Sequence, residues 1–258
     1  GRSTVRFYPP ARAASTRVVI EIAQPLRAHG GVYATHMRDE GDKVIESLQE
    51  TLEVARAIDA PVVVSHHKCM GPKNFGRSVQ TLALLEEARR RQNVALDVYP
   101  YTMGSTILTE ELVAQSTRTL ITWSDPYPKY CGWDLVDVAR EFRCTPTEAI
   151  SRLLPAGGLY FMMDEEDVMR IMRFPNAMIG SDGLPGDQRP HPRLWGTFPR
   201  LLGRYVRERR VLTLQDAVHR MTGLPARQFD LKDRGQIKAG SFADLCIFDP
   251  DTVLDTAT

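Results

Sequence analysis

The sequence predicts an α/β protein built on a parallel sheet. Three observations lead there. Short β-branched runs alternate with amphipathic helical stretches at intervals of roughly thirty residues, the period of βαβ units. One run, VVVS at 62–65, is apolar without alternation, as in a strand covered on both faces. Each run also ends on a polar residue: His36, His66, Tyr99 and Asp182. In parallel β/α architectures that C-terminal edge of the strands is where a site is built.

Residues 16–29 carry apolar side chains at helical spacing, with Pro25 bending or ending the first part. Gly30-Gly31 stops the helix, and a short strand over 32–35 runs into His36. Residues 42–60 read as a long amphipathic helix with Val44, Leu48, Leu52, Ala55 and Ile58 on one face, ended by Pro61. The strand over 62–65 follows, then a helix over 78–91, then a strand over 94–98.

The rhythm breaks between 106 and 175. That span is too long for a βα connection and reads as an inserted lid. It holds helical pieces over 145–154 and 165–173 and an aromatic, proline-rich stretch from Trp123 to Tyr130, expected to pack within the lid. A strand over 177–181 resumes the pattern and runs into Asp182, and helices are expected over 201–207 and 214–221. From Gly235 the Gly-rich GQIKAGSFADLCIFDP, with a short apolar strand, reads as the start of a separate β module. The expected division is 1–234 and 235–258.

Composition narrows the class. Hydrophobic residues make up 43% of the 258, charged residues 25%, and the net charge is +1. Such a balance gives no reason to expect nucleic acid or an anionic membrane as partner. No apolar run is long enough to span a bilayer, and the opening residues lack the apolar core of a secretory signal. Cys69, Cys131, Cys144 and Cys246 are scattered, so reduced thiols and a cytoplasmic location are expected. Both ends read as cut: no starting methionine and no leading strand at one, a turn and a stranded apolar piece at the other. The chain is therefore expected to be a fragment.

Two histidines on neighbouring strand ends can face one point, and neutral imidazole is the commonest metal ligand. An aspartate from a later strand could reach the same place. His67, by strand alternation, points away from His66 and packs behind it. His29 and His219 fall in helices and receive no role, and His191 could be structural or functional. Arg193 shares a loop with Asp182 and suits a carboxylate through its guanidinium fork, whereas Arg189 reads as a surface charge. Arg38-Asp39-Glu40 reads as a salt-bridged loop bracing the histidine. No nucleotide-binding glycine motif and no GxSxG elbow is present.

Several segments together resemble the N-acyl-D-amino-acid deacylases of the amidohydrolase superfamily. They are YATHMRDEG from Tyr33, VVVSHHK from Val62, DVYPYTMGST from Asp97, FMMDEEDV from Phe161, IGSDGLP from Ile179, HPRLWGTFPR from His191 and the closing ADLCIFDP. The resemblance implies a partial TIM (β/α)8 barrel, with about its last four strands here, a lid and part of a small β-sandwich. It implies Zn2+ as cofactor and hydrolysis of N-acyl-D-amino acids to a carboxylate and a free D-amino acid. His36 and His66 match metal-binding histidines, and Asp182 matches the catalytic aspartate. Lys68, Tyr99, Ser105 and Arg193 match substrate-holding positions, with Arg193 and Tyr99 nearest the substrate carboxylate; Tyr8 matches a tyrosine at the pocket. The family's His-x-His pair and ligating cysteine have no counterpart in this chain. Weak or no zinc binding, no activity of the chain alone, and either poor stability or association with itself or with a missing N-terminal half are therefore expected. A cyclic-amide hydrolase of the hydantoinase kind and a non-catalytic remnant stay open as alternatives.

Overall fold

The computed structural model describes residues 4–5, 11–186 and 188–257, with backbone alone for 4–5. Tyr8 therefore lies outside the described residues.

Strand β1 (Thr4–Val5) leads into a short 3-10 turn, and helix α1 (Thr16–Ala23) is capped by the Ser15 side chain. Pro25 breaks the expected long helix, and α2 (Pro25–Ala28) starts afresh on it. Then come β2 (Tyr33–His36), α3 (Val44–Ala57), β3 (Val62–Val64), α4 (Ser78–Arg89) and β4 (Val94–Val98). Next are β5 (Met103–Ile107), α5 (Glu110–Ala114), β6 (Arg118–Ser124), α6 (Leu135–Phe142), α7 (Pro146–Leu153), β7 (Ala156–Phe161), α8 (Glu165–Arg173) and β8 (Ala177–Ile179). Helix α9 (Arg193–Arg200) runs into a π-helical stretch over Leu201–Glu208, followed by α10 (Leu214–Met221) and α11 (Gly223–Gln228).

The central sheet has the order β1-β2-β3-β4-β8, parallel throughout. With its covering helices it forms a parallel α/β arrangement consistent with part of an α/β barrel. Its two faces alternate along each strand. Tyr33, Val62, Val64, Leu96, Val98 and Ile179 join the large helix-covered core, whereas Val63, Ala95 and Met178 pack with Leu224 of α11 on the opposite face. Burial on both sides explains the unbroken valine run. His36 shares the parity of Ala34, and Asp97 that of Ala95, so both stand on that second face.

Four expectations change. The chain does carry a leading strand, because Thr4–Val5 pairs in parallel with β2. The span expected as a lid with helical pieces contains a three-stranded antiparallel sheet, β5-β7-β6, with α6 and α7 packed on each other and α6 against β6. α8 packs on α4, β4 and β8 and thus serves as the crossover helix back to the parallel sheet. Arg193 does not sit on a loop: it is the first residue of α9, the chain having turned into the helix at Pro192. Finally, the apolar strand expected in ADLCIF does not form. Residues 235–257 contain no strand, and Ile237 and Ile247 are 94% and 96% exposed. An extended apolar segment becomes a strand only where another backbone accepts its hydrogen bonds.

The aromatic stretch packs as expected. Tyr127 and Tyr130 each meet Phe142 edge to face, with ring centroids 5.0 and 5.2 Å apart.

Candidate active site

β2, β3 and β4 end side by side, and their C-terminal ends open onto one cleft. Among the residues lining it are His36, His66, Lys68, Tyr99, Ser105, Asp182 and Arg193. Seven of the eight residues singled out from sequence therefore share one cleft; the eighth, Tyr8, is not described.

His36 closes β2, and His66 follows β3 in a left-handed turn with φ of +38°. His36 Nδ1 and His66 Nε2 meet, with ring centroids 4.3 Å apart. Burial, with His66 next to it, lowers the His36 pKa to about 4, so the ring is neutral at pH 7. The far side of His66 faces Lys68 and Glu40: Lys68 Nζ meets His66 Nδ1, Glu40 Oε1 lies 3.1 Å from the same nitrogen, and Glu40 Oε2 accepts from Lys68 Nζ at 2.9 Å. Burial alone would raise the Glu40 pKa, but Lys68 and His66 hold it well below the usual carboxylate range. The Arg38-Asp39-Glu40 loop thus braces the site, with the roles divided. Glu40 holds His66 and Lys68, Arg38 pairs with Glu50 on α3, and Asp39 accepts the Gly41 and Lys43 amides.

His67 turns away and bonds Thr81 on α4 at 2.8 Å, as alternation requires. His191 also proves structural. Its Nε2 donates to Met103 O at 3.0 Å, and its Nδ1 accepts the Arg193 amide at 2.9 Å. Both nitrogens are used, and burial beside Arg193 lowers its pKa to about 3. This histidine fastens the start of α9 to β5.

On the opposite wall, Asp182 also adopts a left-handed conformation, φ +46°, three residues after the end of β8. Its Oδ2 accepts from Arg193 Nη1 at 2.9 Å. The Arg193 guanidinium stacks 4.6 Å from the centre of the Tyr99 ring and reaches Ser105 O at 3.4 Å. Two buried polar atoms here, Ser105 Oγ and Arg193 Nε, have no hydrogen-bond partner. Such atoms are costly unless something polar completes them, which a bound ligand does. Met70, Leu112 and Met162 supply apolar lining that sequence reasoning did not single out. Their signal is weak, because a methionine near a site looks like any core methionine.

Zinc chemistry fits the donors only in part. Two imidazoles facing one point, one of them backed by a carboxylate, are suitable ligands with the usual outer support. Yet among the described residues no group of three His, Cys, Asp or Glu side chains is arranged to hold a metal ion. Also among the described residues, no helix is long and apolar enough to cross a membrane.

The amidohydrolase family model matches residues 134–257. A D-aminoacylase of Alcaligenes xylosoxydans xylosoxydans is 56% identical over 258 residues, covering 100% of this chain and 53% of its own length. A solved D-aminoacylase structure concerned with the role of its binuclear metal centre superposes with a TM-score of 0.94 at 55% identity, covering 98% of this chain and 53% of that one. An N-acyl-D-glutamate deacylase from Bordetella bronchiseptica, solved with zinc and a phosphonate mimic of the tetrahedral intermediate, superposes with a TM-score of 0.96 at 48% identity, over 98% of this chain and 54% of that one. The chain spans about half the length of the relatives it matches. By sequence along its whole length and by fold, the chain is related to the D-aminoacylases and N-acyl-D-amino-acid deacylases of the amidohydrolase family.

Proposed function

We propose that the protein to which this chain belongs hydrolyses the amide bond of N-acyl-D-amino acids, releasing a carboxylate and a free D-amino acid. The observation that carries the reading is the shared cleft. Two imidazoles stand on one wall and an aspartate paired to a buried arginine on the other, with Ser105 Oγ and Arg193 Nε unpartnered nearby. Relatives at 48 to 56% identity carry deacylase names, which supports the same reaction class.

His36 and His66 would hold zinc, with Glu40 orienting His66, and the remaining ligands would come from the half of a relative-length protein that this chain does not span. When bound, zinc would supply Lewis-acid polarisation of the scissile carbonyl and acidification of the attacking water. Asp182 would be the group that accepts a proton from the attacking water and gives it to the leaving nitrogen, which an amide requires because its amine is a poor leaving group. Arg193 offers its free Nε and a second N–H to the substrate carboxylate, in the paired geometry a guanidinium suits. The Tyr99 ring beneath fixes the plane of the guanidinium, and Ser105 Oγ supplies a further donor. Lys68, already bound to Glu40, lends positive potential to that wall. Tyr8 is kept as a candidate pocket residue on the resemblance.

In this reading, residues 1–234 are one part of the catalytic domain, the insertion between β4 and α8 covers the cleft, and residues 235–258 belong to a separate β module. The isolated chain would bind zinc weakly and be inactive, and it would self-associate or pair with the other half. Gel filtration with metal analysis tests this: a monodisperse monomer with one zinc per chain would refute it. The function itself is tested by assaying the full-length protein, zinc-supplemented, on N-acetyl-D- and N-acetyl-L-amino acids. Release of the D-amino acid alone is expected; turnover confined to L-substrates or cyclic amides would overturn the reading.

A further inference from the structure

Strand β4 reads VALDV, and its one charged residue, Asp97, stands on the same sheet face as His36. Asp97 does not line the cleft, so its carboxylate works elsewhere. Oδ2 accepts the backbone amide of His66 at 3.0 Å, and the Asp97 carbonyl accepts the amide of His67 at 2.8 Å. One residue on β4 thus holds the amides of both His66 and His67, while the Ser65 amide just after β3 bonds Thr35 O on β2.

Those two bonds sit where the chain needs them. The β3–β4 ladder ends with Val64 opposite Leu96, and two residues later His66 occupies φ +38°. A residue with a β-carbon is strained in that conformation and keeps it only when its surroundings fix it. The next strand makes room for the fixing group. A Cβ on Gly180 would stand 2.8 Å from Asp97 Oδ2 and 3.4 Å from its Cγ, so only glycine leaves the carboxylate space. Gly180 itself is tied to β4 by its amide on Val98 O at 3.2 Å.

We propose that Asp97 is a positioning residue for His66: its carboxylate holds the His66 amide in the left-handed turn and thereby aims the imidazole at His36. Glu40 sets the ring from the cleft side, and Asp97 sets the backbone from below. The consequence for metal binding rests on the reading of His66 as a ligand; the backbone contact does not.

The test uses the full chain, labelled with nitrogen-15, and the variants Asp97→Ala, Asp97→Asn and Gly180→Ala. In the parent, the His66 amide proton resonates at low field and exchanges slowly, as expected for a bond to a carboxylate. Asp97→Ala moves it upfield and speeds exchange. Asp97→Asn, which keeps an acceptor oxygen in place, restores most of both. Gly180→Ala displaces the carboxylate without removing it and reproduces the Asp97→Ala shift, so the proposal stays testable if Asp97→Ala does not fold. An unchanged His66 amide in Asp97→Ala or in Gly180→Ala overturns it. Zinc affinity, measured by chelator competition in the full-length protein, should fall about tenfold or more in Asp97→Ala, the usual effect of losing a residue that supports a ligand. His66→Ala separates the two claims. If it leaves zinc affinity unchanged, the ligand reading fails, while the amide measurement still judges Asp97.

Discussion

Glu40→Ala is the perturbation that most directly probes how the site is held. Glu40 and Lys68 are 3% and 7% exposed, and their charges lie 2.9 Å apart. At an effective dielectric of about 20, that separation is worth roughly 6 kcal/mol of Coulomb attraction. Desolvation of the two groups offsets much of it, so the pair adds little net stability over an apolar pair. Removing one partner is different, because it leaves the Lys68 ammonium buried and uncompensated, at a cost of about 3–5 kcal/mol. For a domain of this size that corresponds to a fall in Tm of roughly 6–20 °C. Thermal unfolding followed by circular dichroism at neutral pH reads it. The double variant Glu40→Leu/Lys68→Met should recover most of the loss. The pH dependence has a defined sign. The Glu40 pKa is depressed on folding, so the stabilisation is present above its ordinary 4.5 and disappears as pH falls through the folded value. A loss below about 1 kcal/mol for Glu40→Ala, in the range of an exposed ion pair, would refute the reasoning.

Four further outcomes are expected. In the full-length protein, Asp182→Asn lowers kcat by at least about 100-fold, the usual contribution of a proton-transferring group, with the circular dichroism spectrum unchanged; retention of most of the rate removes Asp182 from the mechanism. Arg193→Ala raises KM for N-acyl amino acids far more than for an amide lacking the carboxylate, and an equal loss on both contradicts its anion-holding role. Gly157→Val destabilises the antiparallel sheet by about 1–3 kcal/mol or more. Even a Cβ there would meet Trp123 Nε1 and the Thr122 hydroxyl, and an unchanged melting temperature would show that these side chains yield freely. Thr145→Ala removes the capping box that Thr145 and Glu148 form at α7 and costs about 1 kcal/mol, measurable by denaturant unfolding.

The local periodicities carried much of the fold. The valine run at 62–64, the α8 segment at 165–173 and the α10 segment at 214–221 form where their patterns place them, because burial and capping are decided within each segment. The antiparallel strands β5, β6 and β7 were not legible. Gly104, Gly157 and Gly158 dilute their apolar pattern, and their pairing is a long-range choice. The helical start at Arg193 was missed because HPRLWG offers no side-chain cap and two prolines nearby.

At the site, sequence alone determined which groups are available: an imidazole, a phenol or a carboxylate at each strand end, since strand termini and parity follow from chain-local sterics. The tertiary structure decided which of them meet. It turned His67 and His191 into structural bonds, gave Glu40 to His66 and Lys68, and set Arg193 on Asp182. Those pairings join residues up to 88 positions apart, as His191 is from Met103. They arise only when packing brings the strand ends together and burial makes each unpaired polar group costly.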